Sequence, residues 1–223
     1  MNESRRIESN SSCEQSESRV NSTVVFGGSF NPLHIGHLAI LRALCERDDV
    51  ARVLLVVSPK NPLKDNISAD SAAARLQAAR QALVRHPELG GKVKVCDIEF
   101  RLSPPNYTIR TLDALAKEMN LNAAIPRTDP DAEAGRSAGT SLRLAVGGDQ
   151  LADFRRWKDY ARILLEYGLL VYPREGFDSA ALRESLLAEN PSYRITLLDA
   201  PLFNISSTAL REGLLAHPED FLM

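Results

Sequence analysis

Short runs of β-branched and aromatic residues alternate along the chain with longer stretches whose apolar residues recur at helical spacing. The first run is Thr23-Val24-Val25-Phe26, and it stops at Gly27-Gly28, which permits a tight turn. A helix follows from about Ile35 to Arg47, with Leu38, Leu41 and Ala43 to Cys45 on its apolar side. Val53 to Val57 reads as a buried strand ended by Ser58-Pro59. A helix over residues 68–86 opens at Ser68 or Asp70 and closes before Pro87. Val93 to Ile98 reads as a strand, and Tyr107 to Met119 as a helix with Ile109, Leu112, Leu115 and Met119 on one side. Further strands are expected at Leu142 to Val146, Leu169 to Tyr172 and Tyr193 to Leu198. Between them the pattern predicts a short helix after Asp149 and a helix near Ser179 to Glu189, and a last helix begins near Ser206.

Strands that alternate with helices and read as continuous apolar runs predict an α/β domain over residues 23–223, with a doubly wound parallel sheet covered on both faces. Ligands of such sheets bind beyond the carboxyl ends of the strands, near a topological switch point. The loops after Phe26, Val57, Val146 and Leu198 are therefore where chemistry is expected. Two stretches break the pattern. Residues 1–22 are rich in Ser, Glu, Asn and Arg, cannot bury enough surface to offset ordering entropy, and predict a disordered tail. Residues 122–140 hold two prolines and three acidic residues without period, and predict a flexible insertion.

Composition changes this picture little. Hydrophobic residues make up 44%, charged residues 25%, and the net charge is -2, ordinary values for a soluble globular protein. No basic excess suggests a nucleic-acid footprint. Cys13, Cys45 and Cys96 match no zinc spacing and read as free thiols of a reducing compartment. With no apolar run long enough to span a bilayer and no secretory leader, a cytoplasmic enzyme is the expectation.

The candidate chemistry starts where the first strand enters the first helix, at Gly27-Gly28-Ser29-Phe30-Asn31-Pro32-Leu33-His34-Ile35-Gly36-His37. Glycines let backbone N–H groups approach an anion, and a helix start adds unpaired N–H groups and partial positive charge. His34 and His37 are three residues apart and share a helix face, so both imidazoles can donate to one phosphate. A zinc site is the competing reading of a histidine pair, but no Cys, Glu or third His stands nearby in sequence. Near the other end, Ile205-Ser206-Ser207-Thr208-Ala209-Leu210-Arg211 places helix-capping hydroxyls and an arginine fork within reach of one anion.

The first segment resembles the HxGH signature of the nucleotidyltransferase superfamily, which includes class I aminoacyl-tRNA synthetases, and the full string GGSFNPLHIGH looks most like nicotinate-nucleotide adenylyltransferases. The second segment resembles the SSTxxR motif of the same family. The resemblance covers roughly residues 23–217 and implies a Rossmann-like nucleotidyltransferase fold. It also implies transfer of the adenylyl group of ATP to nicotinate mononucleotide, giving deamido-NAD and pyrophosphate, with Mg²⁺ on the triphosphate. The resemblance gives His34, His37 and Arg211 the catalytic work on the phosphates. Gly27, Gly28, Ser29, Phe30, Ser206, Ser207 and Thr208 complete the ATP site, together with Gly147 and Asp149 of a stretch similar to the family's IGxD segment. For the acceptor it implies Trp157 stacked on the pyridine ring and backbone near Tyr107 and Thr108 on the nicotinate carboxylate. Lys64 and a phosphate-binding Arg174 complete the acceptor site. Core packing is the plain alternative for Trp157, the only tryptophan.

Some positions depart from the family pattern. Ser29 and Asn31 replace the commoner Thr and Asp, Arg110 stands where SYTIDTL has Asp, and the family continues into a further short segment beyond Met223. Phosphopantetheine adenylyltransferase, which shares both motifs, is the nearest alternative, and a non-catalytic nucleotide-binding protein of the same fold is the other. The expected partners are ATP and a small nucleotide acceptor, with no nucleic acid and no membrane, and the pattern leaves the oligomeric state open.

Overall fold

The computed structural model describes residues 21–59, 69–121, 141–200 and 222–223. The expectations for the N-terminal tail up to residue 20, the insertion at 122–140, the last helix, Cys13, Lys64, Ser206, Ser207, Thr208 and Arg211 lie outside these residues.

Six parallel strands form one sheet: β1 Ser22–Gly28, β2 Val50–Val57, β3 Val93–Cys96, β4 Ser141–Gly147, β5 Leu169–Tyr172 and β6 Ile195–Leu197. Their order across the sheet is β3-β2-β1-β4-β5-β6. The chain therefore winds outward from β1 in one direction and from β4 in the other. The switch point lies between these two strands, where Phe26 pairs with Leu55 on one side and Ala145 on the other. Among the described residues the helices are α1 Ile35–Cys45, α2 Ala69–Arg85, α3 Ile98–Arg101, α4 Thr108–Glu118, α5 Gly148–Ala152, α6 Tyr160–Arg162 and α7 Ser179–Glu189.

Successive side chains of a strand point to opposite faces, and here both faces are apolar. Val24, Phe26, Val53, Leu55, Val57, Leu170 and Tyr172 face one core, which α1 closes with Leu38, Leu41 and Leu44 and α2 with Ala79 and Ala82. Val25, Leu54, Val56, Leu144, Val146, Leu169 and Val171 face the other, closed by Ile109, Leu112 and Leu115 of α4 and Leu186 of α7. The doubly wound architecture read from the alternation is the architecture observed.

Element ends moved where partners, not propensity, decide. β1 begins at Ser22, whose hydroxyl donates to the Asp49 carbonyl at 2.7 Å, one residue before the apolar run that marked it. β3 stops at Cys96 instead of Ile98, because Ile98 turns inward and packs in the α4-side core as the first residue of α3. β6 is three residues long, shorter than the predicted Tyr193 to Leu198, since its single neighbour β5 offers only Leu169 to Val171 for pairing. Tyr107 is not helical but caps α4 in an extended conformation, and α1 ends at Cys45, short of Arg47. Between α6 and β5 the backbone widens into a turn over Ile163–Tyr167, where the Gly168 N–H donates to the Ile163 carbonyl at 2.9 Å. Gly168 then takes φ +74°, with Arg194 atoms where a side chain would begin, so only glycine fits the entry to β5.

Candidate active site

The carboxyl ends of β1, β4 and β5 converge at the switch point, where the predicted loops after Phe26 and Val146 meet the loop after Tyr172, which was not among those expected. The turn after β1 is tight. Phe30, 3% exposed, takes φ +43°, and its ring packs 3.1 Å from where a Gly28 side chain would start. A left-handed phenylalanine is strained and persists only where the surroundings fix it. Here its ring edge meets Phe26 at a centroid distance of 5.5 Å and His37 at 5.1 Å.

This turn delivers His34 to the position that caps α1 and His37 to the first turn of the helix. The two imidazole rings lie face to face, 3.7 Å between centroids and 35° apart. The His34 backbone N–H donates to His37 Nδ1 at 3.2 Å. In a neutral imidazole one nitrogen accepts and the other donates, so this bond assigns the ring proton of His37 to Nε2. The ring thus presents an N–H donor on the side away from its own backbone. His34 is 1% exposed, and neither of its ring nitrogens has a hydrogen-bond partner among the described residues. A buried polar atom left unpaired costs about 1–3 kcal/mol, which an incoming hydrogen-bonding group would offset.

Both histidines are held uncharged. Burial, followed by the nearby positive charge of Arg174, lowers His34 from 6.5 to about 4. Burial, then His34 and Arg174, lowers His37 as well. Arg174, just after β5, lies with its guanidinium carbon 5.4 Å from the centroid of the Tyr172 ring and pairs with Asp149 at 3.7 Å. Tyr172 in turn meets Phe26 edge-on at 6.2 Å. So the structure brings His34, His37, Phe30, Arg174 and Asp149 into one cluster around β1, β4 and β5.

Gly147 and Gly148 are glycines for a steric reason. A side chain on Gly147 would start 2.2 Å from the Asp149 carboxylate and 3.1 Å from Tyr172, and one on Gly148 would start 2.6 Å from the Ser179 hydroxyl. The turn is closed by the Gly147 N–H donating to Gln150 Oε1 at 3.0 Å. A small cleft opens beside α1, lined by Gly36, Ala39, Ile40, Tyr172, Pro173, Arg174 and Ala200. Its walls are mostly apolar, with the Arg174 cation at one side.

The acceptor candidates are placed by other elements. Tyr107 and Thr108 start α4, with Tyr107 39% exposed. Trp157 is half-buried, one face on Phe154 at a centroid distance of 4.8 Å. Core packing and partial exposure therefore coexist in this residue. Arg110, at the position that departs from the family pattern, donates to the Ser103 and Pro105 carbonyls, both at 3.0 Å, and so holds the loop leading into α4. Three His, Cys, Asp or Glu side chains gather nowhere among the described residues in a way that could hold a metal ion. No helix among them is long and apolar enough to cross a membrane.

Sequence reading missed Ser58, Arg75, Glu99 and Tyr172. Arg75 had a legible signal, since it interrupts a stripe of small residues, Ala72, Ala79 and Ala82, at helical spacing. An arginine on the buried stripe of a helix needs partners, and Arg75 finds them in the turns after β1 and β2. Glu99 had no such signal.

A family model described as cytidylyltransferase-like matches residues 25–213. The fold and the histidine turn thus define a nucleotidyltransferase of that family. Over 192 residues the chain is 37% identical to a probable nicotinate-nucleotide adenylyltransferase of Bacteroides fragilis, covering 86% of this chain and 81% of the relative. It is 35% identical over 198 residues to the Bacteroides thetaiotaomicron protein of the same name, covering 89% and 84%. The chain belongs to the nicotinate-nucleotide adenylyltransferase family. The fold is shared with Plasmodium falciparum nicotinic acid mononucleotide adenylyltransferase complexed with NaAD, at TM-score 0.65 and 16% identity over 91% of this chain and 90% of that one. The same Plasmodium protein complexed with APC aligns at TM-score 0.57.

The depressed histidines carry a consequence for stability. Above pH 6.5 His34 is neutral in both the folded and the unfolded chain and contributes nothing. As pH falls from 6.5 towards 4 the unfolded chain takes up a proton that the folded site refuses, so stability is lost over that window. The loss from His34 is at most about 3 kcal/mol. Urea unfolding of wild type and His34→Gln between neutral and acid pH should therefore show a shallower acid loss in the variant. Parallel profiles would contradict the burial of a neutral His34.

Proposed function

We propose that this protein transfers the adenylyl group of ATP to nicotinate mononucleotide, forming deamido-NAD and pyrophosphate, at the cluster after β1. The observation that carries the reading is the pair of uncharged imidazoles on the first turn of α1, one with its donor assigned to Nε2 and the other with no ring partner among the described residues. The family to which the chain belongs supports the substrates.

In this reading a phosphate oxygen of the acceptor attacks the α-phosphorus of ATP in line. The new P–O bond forms as the bond to the bridging oxygen breaks, and pyrophosphate leaves with the electron pair. The attacking phosphate is already an anion at neutral pH, so neither a protein nucleophile nor a strong base is required. Catalysis is positioning together with stabilisation of charge as it spreads over the phosphates. His37 Nε2–H and the His34 ring donate to phosphate oxygens, with the α1 N-terminus behind them. Ser29 and Phe30 shape the turn, Gly27 and Gly28 keep it close to the phosphates, and Arg211 with Ser206, Ser207 and Thr208, as the family's SSTxxR motif implies, grips the triphosphate. Gly147 and Asp149 line the ATP from β4. The apolar cleft by Ala39, Ile40 and Pro173 suits a flat base. Mg²⁺ would come with the triphosphate and would supply charge neutralisation on its oxygens; no cluster of His, Cys, Asp or Glu among the described residues is assigned to hold it.

On the acceptor side, Trp157 offers a ring face to the pyridine, backbone N–H groups near Tyr107 and Thr108 take the nicotinate carboxylate, and Lys64 and Arg174 take phosphate. Charge-assisted bonds to a carboxylate are worth about 1.5–3 kcal/mol against about 0.5–1.5 kcal/mol for bonds to a neutral amide, so the acid is favoured over nicotinamide mononucleotide.

Product analysis with ATP and each of three acceptors, nicotinate mononucleotide, nicotinamide mononucleotide and phosphopantetheine, tests the substrate assignment. Deamido-NAD should form with the highest kcat/KM, and Trp157→Ala should weaken acceptor binding more than ATP binding. Dephospho-coenzyme A as the favoured product would overturn the assignment. The histidines are tested separately. His37→Ala should fold normally and lose about 10²-fold or more in kcat, the usual cost of removing one preorganised donor. Turnover within a few-fold of wild type would remove His37 from the mechanism.

A further inference from the structure

Two charged side chains that the mechanism does not use are nearly inaccessible, Arg75 at 6% and Glu99 at 7%. Arg75 stands on α2 among small buried residues, yet its guanidinium donates only to backbone carbonyls among the described residues. Nη1 reaches the carbonyls of Ser29 and, at 2.9 Å, Ser58, and Nη2 reaches that of Pro59 at 3.1 Å. One cation thus ties the turn after β1 to the turn after β2. Ser58 is bound a second time to the same turn, its N–H donating to the Gly28 carbonyl at 2.9 Å.

From the other side, the Glu99 carboxylate accepts from the Thr111 hydroxyl of α4 at 2.8 Å and from the Ser58 side chain. The Glu99 carbonyl accepts from the Asn106 side chain at 2.9 Å. Asn106 and Thr111 bracket Tyr107 and Thr108 in sequence. A continuous set of bonds therefore runs from the phosphate turn through Ser58 to the start of α4. Stability alone does not account for it. A cation desolvated against neutral carbonyls is costly, and an apolar side chain on the same stripe would serve the core at least as well.

We propose that Arg75 and Glu99 are positioning residues that hold the ATP turn and the acceptor-binding start of α4 in one register, with Ser58 as the shared joint. This rests on the reading that residues 28–37 take ATP and residues 107–108 take the acceptor. In-line attack needs both substrates aligned to well under an ångström, so slack in either bond set appears as lost turnover while the fold survives. Arg75 acts nearer the phosphates and governs kcat. Glu99 acts nearer α4 and governs the acceptor KM.

The test uses the full chain with Arg75→Met, Arg75→Lys, Glu99→Gln and the Arg75→Met/Glu99→Gln pair, reading kcat, both KM values and the thermal unfolding midpoint. Arg75→Met should lower kcat about 10- to 100-fold with the midpoint little changed, and Arg75→Lys should recover part of the loss by restoring one carbonyl bond. Glu99→Gln should raise the KM for nicotinate mononucleotide about tenfold while leaving that for ATP near wild type. The double variant should lose less than the product of the single losses, because both act through one joint. Lowered midpoints with unchanged kinetic constants in the folded fraction, or losses that simply multiply, would overturn the proposal. Should Arg75→Met fail to fold, Arg75→Lys combined with Glu99→Gln carries the same cycle. Absence of turnover in wild type would instead defeat the proposed function, and calorimetric binding of ATP and nicotinate mononucleotide to the same variants would then decide the coupling.

Discussion

The site depends on keeping two imidazoles uncharged against each other in a packed turn. Rings 3.7 Å apart could not both carry a proton without repulsion, and Arg174 adds a third positive charge to the same neighbourhood. The neutral state is therefore the one the fold accepts, and it leaves each ring able to donate one N–H. Under the proposed function, a bound triphosphate reverses that balance for His34, whose ring nitrogens have no partner among the described residues. Charge that was costly in the free protein becomes favourable once phosphate oxygens arrive, so the same burial that depresses the histidines makes their hydrogen bonds strong when needed.

The sheet turns this local chemistry into a site. All six strands run the same way, so the turns after β1, β2, β4 and β5 open at one edge. The order reversal between β1 and β4 sends their following helices to opposite faces and opens a crevice between them. Gly147 and Gly148 let the turn after β4 approach Asp149, Tyr172 and Ser179 more closely than any side chain would permit. Bonds from Arg75 and Glu99 then join the turns across the half of the sheet that carries β2 and β3. These few polar side chains add hydrogen bonds between turns that the apolar layers and the packing of Phe26, Phe30 and Tyr172 bring to one edge.

Much of this was legible in the residues. Buried parallel strands such as Val53 to Val57 announce themselves as unbroken apolar runs, and α7 was read to the residue because Asp178 caps it where the pattern begins, its carboxylate accepting from the Ala181 N–H. The histidine pair was legible because two imidazoles three residues apart after a glycine turn share one face of a helix start, and the structure brings their rings together. What escaped was set by pairing across distance. Ser22 joins β1 through Asp49, Ile98 leaves β3 for the opposite core, and β6 is trimmed by the length of β5. Glu99 carried no signal in the sequence, and its burial follows from partners 12 residues ahead in Thr111 and far behind in Ser58. Local propensity carries no record of such contacts.

Under the proposed function His34 is neutral in the free site and gains a proton as phosphate binds, while His37 stays a neutral donor because its Nδ1 accepts from the His34 backbone N–H. Calorimetric titration of MgATP near pH 6 in two buffers of different ionisation enthalpy measures that proton gain directly, because proton uptake appears as a buffer-dependent heat. Net proton uptake by the wild-type protein should be larger than by His34→Gln under the same conditions. Equal proton uptake in the two proteins, or release by the wild type alone, would contradict it.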